Sequence, residues 1–370
     1  MRSHYSKLYT MAGALVLGAG IVAAPATGIA ADYSGKKIQV IIPTKEGGGT
    51  DKYGRIFASF IGKYLPGKPA VLAVNKPGGG GIKGSNWFQK NAPRDGTVIM
   101  TTGGSVQTSY VFGGKKVKFD LLKWNPIVLS PFGICLQARK ELGVNGSDAL
   151  ADVKALRKAG ADKGRLLMGD KNAISSGLGS FVAFDMLGIP NVKPLFGLST
   201  GKRRKAVVRG ELQFSQETVI KCKQNHAKLQ KQGVITFAAL GFAKPDGTIG
   251  RDPIMPELPH VGEIYEKLNG RKPSGMQWEA HTALINLISM SNKGLWLPPG
   301  VSKDVLDTYQ ATIKKVYKDK KFKKLTKKRF GNNPQSFGKD ATEVVKRGAG
   351  IKPEVKKWIL KFVKTKLVGS

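Results

Sequence analysis

The sequence predicts an α/β protein of two lobes, each a mostly parallel sheet flanked by helices. Three observations predict it. Strand-like and helix-like segments alternate along the chain; three consecutive strands each run into a glycine-bearing loop and then a helix; and the strand-helix units outnumber what one small sheet holds. The 370 residues are enough for about two domains, and 41% apolar residues are enough to build a core in each.

Lys37–Ile42 reads as the first strand. It leads through Pro43–Gly49 into a helix capped at Thr50 and Asp51. Tyr53, Ile56, Phe57, Phe60, Ile61, Tyr64 and Leu65 then recur at the spacing of one helix face. Val71–Val74 is the second strand, followed by Gly78–Gly81 and a helix carrying Trp87 and Phe88. Thr97–Thr101 is the third, followed by Gly103, Gly104 and Ser105. Leu166–Met168 precedes Asp170–Ser176 and a helix through Phe181, Phe184 and Leu187. Val192–Phe196 contains Pro194, which confines it to a sheet edge. Leu212–Ser215 and Val234–Leu240 complete the strands. From Val301 the chain reads as helices, at Val301–Tyr317, Phe322–Phe330, Ala341–Arg347 and Pro353–Lys366.

Composition narrows the function. Lys and Arg number 61 against 25 Asp and Glu, a net charge of +36. Of the basic residues 48 are Lys and 13 are Arg, so the excess is diffuse lysine. Nucleic-acid readers lean on arginine for bidentate and stacking contacts, and no recognition module accompanies this charge. Nucleic acid is therefore not an expected partner. Two cysteines exclude a disulfide-rich scaffold and a cysteine-based zinc module.

Residues 1–31 have the form of a secretory signal. A basic start (Arg2, Lys7) precedes an apolar run from Met11 to Ala24, and small residues place cleavage near Ala30 or Ala31. The run is too short to span a bilayer. The mature chain is expected in the periplasm, an oxidising compartment where Cys135 and Cys222 either pair or stay as two buried thiols.

Several motifs invite chemistry and fail on their context. Gly79, Gly81 and Gly84 match the dinucleotide fingerprint, but the next strand ends in Thr101 and Thr102 with no acid for a ribose. Gly197–Lys202 is one residue short of a phosphate loop, and Arg203 stands where Ser or Thr should hold magnesium. Gly197–Gly201 matches the G-x-S-x-G elbow around Ser199, with Asp252 and His260 or His281 as partners for a secreted serine hydrolase. The pattern arises readily by chance at this glycine content. The histidines show no metal spacing. No metal, cofactor or enzymatic activity is expected. What survives is a set of glycine-rich loops at helix starts, whose unpaired N–H groups and dipoles favour negative charge.

Those loops carry a resemblance. Pro43–Asp51 (PTKEGGGTD), Asn75–Gly84 (NKPGGGGIKG), Pro93–Thr97 and Thr101–Ser105 resemble the substrate-binding proteins of tripartite tricarboxylate transporters, the Bug family. Gly210–Leu212, Asp252–Val261 (DPIMPELPHV) and Leu297–Val301 fit in order. The resemblance implies a periplasmic binding protein of the Venus-flytrap kind, with lobe 1 over 32–128 plus 278–370 and lobe 2 over 129–277. It implies hinge closure on a small organic solute, typically a carboxylate, and delivery by a monomer to integral membrane transporter subunits. Carried over, the ligand-binding positions are Gly47, Gly48, Asp51, Gly103, Gly104 and Ser105 in lobe 1, and Ser175, Ser176, Glu217 and Thr218 in lobe 2. Two alternatives stay open: a secreted serine hydrolase using Ser199, and a ligand sensor feeding a signalling partner. Thr44, Lys45 and Glu46, the loop Gly169–Ser175, and Glu217 depart from the family's usual residues, so no particular ligand transfers.

Overall fold

A computed structural model describes residues 31–244, 246–331 and 333–369. The expected signal segment lies outside the described residues except for Ala31, whose N–H donates to Thr308 Oγ1 at 3.0 Å. In chain order the elements begin with β1 (Lys37–Ile42), α1 (Gly49–Tyr64), β2 (Ala70–Asn75), α2 (Ile82–Asn91), β3 (Val98–Gly103), α3 (Gly104–Phe112) and β4 (Asn125–Ser130). There follow β5 (Ile134–Arg139), α4 (Ala149–Lys163), β6 (Leu166–Gly169), α5 (Leu178–Met186), β7 (Val192–Leu195), α6 (Thr200–Val208), β8 (Phe214–Thr218), α7 (Val219–Lys231) and β9 (Val234–Ala239). A short hairpin of β10 (Phe242–Ala243) and β11 (Ile249–Gly250) leads to α8 (Val261–Asn269), α9 (Gly275–Ser289) and β12 (Lys293–Leu297). The chain closes with α10 (Lys303–Lys318), α11 (Lys320–Phe330), α12 (Gly338–Ala349) and α13 (Pro353–Phe362).

The strands form two five-stranded sheets with one shared plan. The first has the order β2-β1-β3-β12-β4 and the second β7-β6-β8-β5-β9. In the first, β1 pairs parallel with β2 and β3, while β12 runs against β3 and β4. In the second, β6 pairs parallel with β7 and β8, while β5 runs against β8 and β9. Four strands of each sheet thus point one way, and the strand next to one edge opposes them. Pro194 does sit in an edge strand.

Strand β1 shows why such strands read as near-continuous apolar runs. Ile38 and Val40 enter a core with Tyr53 and Phe57 of α1 and Tyr309 and Ile313 of α10. Ile41, on the other face, enters a core with Phe88, Met100, Trp124 and Trp296. A sheet covered by helices on both sides needs apolar residues on both. The second sheet has its own large core, which takes in α5, α9 and, from the far C-terminus, Val355, Ile359 and Phe362 of α13.

Two short segments pass between the sheets. Residues 131–133 link β4 to β5, and residues 290–292 link α9 to β12. They are tied where Phe132 N–H donates to Ser289 O at 2.9 Å. Cys135 in β5 and Cys222 in α7 form a disulfide across 87 residues, which resolves the two alternatives open in the sequence.

Candidate functional site

The first-sheet loops converge because β1 and β3 are parallel neighbours and end at one edge. Helix α1 starts there with Gly48 as its N-cap, and no side chain caps it. Gly47 takes a φ of +77°, which only glycine adopts without strain. Asp51 is buried and curls back. It accepts from Gly47 N–H (2.9 Å), Asn75 Nδ2 (2.9 Å) and Arg55 Nε (3.0 Å). Its carboxylate is therefore fully engaged in shaping the loop, and the Gly47 N–H is consumed with it. The N–H groups of Gly49 and Thr50, in the first turn, have no protein acceptor among the described residues.

Helix α3 begins directly beside α1. A Cβ on Gly103 would lie 2.3 Å from Thr50 Oγ1, so the two helix starts touch only because residue 103 has no side chain. At Gly104 the second sheet arrives: a Cβ there would lie 3.5 Å from Ser176 Cβ and 3.6 Å from Asn292 Nδ2. Lys171 Nζ crosses from the β6–α5 loop and donates to Ser105 Oγ at 3.1 Å. A third meeting occurs at Gly80, whose added Cβ would be 2.7 Å from Asn172 Nδ2. The expected residues Gly103, Gly104, Ser105 and Ser176 thus lie where the loops of the two sheets meet, and Gly48 caps the neighbouring helix start.

The loop from Gly169 to Gly177 is braced from behind. Arg203 and Asp170 form a buried pair at 3.1 Å, their side chains only 5% and 1% exposed. The guanidinium also donates to Gln216 O at 3.1 Å. Ser175 is buried, and its Oγ has no partner among the described residues.

Glu217 and Thr218 end β8 on the same side. Glu217 is buried, and Arg204 Nη2 holds its Oε1 at 2.7 Å. Thr218 stands as N-cap of α7 without a side-chain bond to it. No hydrogen bond joins either residue to the first-sheet loops among the described residues. Lys221, one turn into α7, has its ammonium pushed down by burial and by Arg329, Lys52 and Arg204.

Two residues absent from the sequence expectation stand at the centre. Lys293 is the first residue of β12, flanked in the sheet by Gly103 and Ser130. Its Nζ donates to Asn292 O at 3.2 Å, and its Cε would lie 3.8 Å from a Cβ on Gly49. Burial pushes its pKa down to about 7, and Lys171 opposite pushes the same way. Lys171 is itself lowered by burial, an effect that Asp170 opposes and Arg203 reinforces. Neither lysine has a carboxylate partner among the described residues. Nothing distinguishes these two among 48 lysines in the sequence; the one available signal is position, since each directly follows a turn at a sheet edge.

The hydrolase constellation is not assembled. Ser199 caps α6, accepting from Lys202 N–H at 3.5 Å. His260 caps α8, accepting from Gly262 N–H at 3.1 Å. His281 bonds Leu240 O at 2.8 Å, stacks on Trp278, and is pushed down to about 4 by burial. Asp252 accepts from Ile254 N–H at 2.8 Å. None of the three bonds Ser199 among the described residues. Those residues also hold no cluster of three metal-ligating side chains and no helix long and apolar enough to cross a membrane.

Where the loops of the two sheets meet, the groups present are thus donors: two ammonium groups, free N–H groups of α1, and serine hydroxyls. The acids there are paired with arginines.

No family model and no curated protein matches the chain. Solved structures do match over nearly its whole length. Rpa4515 from Rhodopseudomonas palustris, solved with adipate, is 16% identical over 89% of this chain and 98% of its own, with a TM-score of 0.66. The periplasmic binding protein BugD is 17% identical over 90% and 99%, with a TM-score of 0.63. MatC from Rhodopseudomonas palustris, solved with bound malate, is 17% identical over 88% and 98%, with a TM-score of 0.60. The fold is the one these periplasmic binding proteins share, two mixed sheets flanked by helices.

Proposed function

We propose that this chain is a periplasmic solute-binding protein of the tripartite tricarboxylate type, which closes on a small carboxylate and hands it to integral membrane transporter subunits. The observation that carries the reading is the set of donors at the place where the loops of the two sheets meet. Helix starts and half-buried cations together favour negative charge, and the acids there are paired with arginines. That two proteins of the same fold were solved with malate and adipate supports a carboxylate.

On this reading the expected boundaries of 32–128 plus 278–370 and 129–277 shift, because β4 belongs to the first sheet and α9 and α13 pack in the second sheet's core. Lobe 1 comprises 32–130 plus 293–349 and lobe 2 comprises 134–289 with α13, turning about residues 131–133 and 290–292. Solute has higher affinity for the closed form and so shifts the population toward it. Residues 1–31 would direct export and then be removed. The mature protein works as a monomer without cofactor or catalysis. Of the expected ligand positions, Gly48, Gly103, Gly104, Ser105, Ser175 and Ser176 would meet solute. Gly47 and Asp51 would hold the loop in shape, and Glu217 and Thr218 would border the entrance.

Thermal-shift titration of the mature chain with mono-, di- and tricarboxylates tests the reading. A true ligand at roughly 100 times its Kd adds about 2.7 kcal/mol of stability. If no carboxylate raises Tm, and a fluorophosphonate labels Ser199, the binder reading falls.

A further inference from the structure

We propose that Lys171 and Lys293 form a two-point cationic clamp, one ammonium from each side of the cleft, that selects solutes carrying two negative charges. This rests on the solute-binding reading and narrows its ligand class.

Charge bookkeeping around the gap carries the inference. Four acids lie close: Asp51 is held by Arg55, Asn75 and Gly47, and the exposed Glu46 shares the same Arg55; Asp170 is spent on Arg203 and Glu217 on Arg204. Lys171 and Lys293 are left with neutral acceptors alone, Ser105 Oγ for the first and Asn292 for the second. Asp170 eases the field at Lys171, its chain neighbour, but Arg203 cancels that carboxylate, so the trio still carries one surplus positive charge. Lys293 adds a second. A buried charge without a counter-charge is costly, and two of like sign facing each other cost more. Both ammonium groups are half-buried where the loops of the two sheets meet.

The geometry assigns the two points to opposite walls. Lys293 rises from the first sheet between the ends of β3 and β4, beside the first turn of α1. Lys171 reaches over from the loop after β6 to the first turn of α3. One carboxylate satisfies one ammonium and leaves the other desolvated and alone. A solute with an anionic group at each end satisfies both and ties the walls together.

Titration calorimetry on the mature chain, with succinate, its monomethyl ester, butyrate and inorganic phosphate as probes, tests the clamp. Succinate is expected to bind at least about 50-fold more tightly than the ester or butyrate. Lys171→Met and Lys293→Met should each weaken succinate by at least about tenfold while changing the ester much less. The ester comparison needs no variant, so it stands even if a variant fails to fold. If succinate and its ester bind alike, the clamp is wrong and the carboxylate reading survives. If no carboxylate binds but phosphate does, and both Met variants lose it, the clamp holds for a tetrahedral dianion and the carboxylate reading fails. If none of the probes binds, both fall.

Discussion

Replacing Lys293 by Met should stabilise the empty protein and flatten its response to pH. The side chains are of similar length, so the change removes charge more than volume. Burial, and secondarily Lys171, lower the pKa from 10.5 to about 7. Each decade of depression is worth about 1.4 kcal/mol, which makes the full cost roughly 4–5 kcal/mol. The unfolded chain keeps the proton up to about pH 10.5, whereas the folded chain sheds it near 7. Between those values the unfolded state binds more protons, so stability rises with pH. The cost is complete below about pH 7 and fades toward 10.5. From pH 6 to pH 9 the wild-type protein should therefore gain about 2–3 kcal/mol from this group, and Lys293→Met should not. Urea unfolding of both proteins at pH 6, 7.5 and 9 without solute reads the difference directly. Equal pH slopes for the two would refute a desolvated Lys293, and with it the argument that the cleft stores uncompensated charge.

Four further outcomes are expected. Asp170→Ala strands the buried guanidinium of Arg203 and should cost about 3–5 kcal/mol in denaturant unfolding; a loss under 1 kcal/mol would mean that the pair does not brace the loop. Asp51→Ala leaves the Gly47 N–H without its acceptor and the Asn75 amide with Thr44 O alone, for a cost of about 1–3 kcal/mol and a weaker grip on solute in the same titration. Reducing Cys135–Cys222 reopens an 87-residue separation and should lower stability by about 4 kcal/mol, seen as a drop in Tm with dithiothreitol. Ser199→Ala removes a long helix-cap bond, costs about 1 kcal/mol or less, and should leave solute affinity unchanged.

The sequence by itself determined the elements whose signal is local. Strands β1, β2 and β3 with their glycine loops, the amphipathic face of α1, the edge position of β7 and the C-terminal helices are all legible, because periodicity and turn residues act within a few positions of one another. Strands β4, β5 and β12 were not read. They break the alternation of strand and helix, and their apolar runs acquire meaning only when the chain crosses between the sheets and returns. The candidate site divides in the same way. Gly103 and Gly104 announce a tight strand-to-helix turn, and the structure explains each by what a Cβ would strike. Asp51 reads as a helix cap but holds the loop instead, since its partners are Arg55, one turn on, and Asn75, which opens a second motif that only the fold brings beside it. Lys171 and Lys293 stand 122 positions apart and look like any surface lysine. Only the tertiary structure partly buries both and sets them against each other, because desolvation and like-charge repulsion depend on what surrounds a group in space.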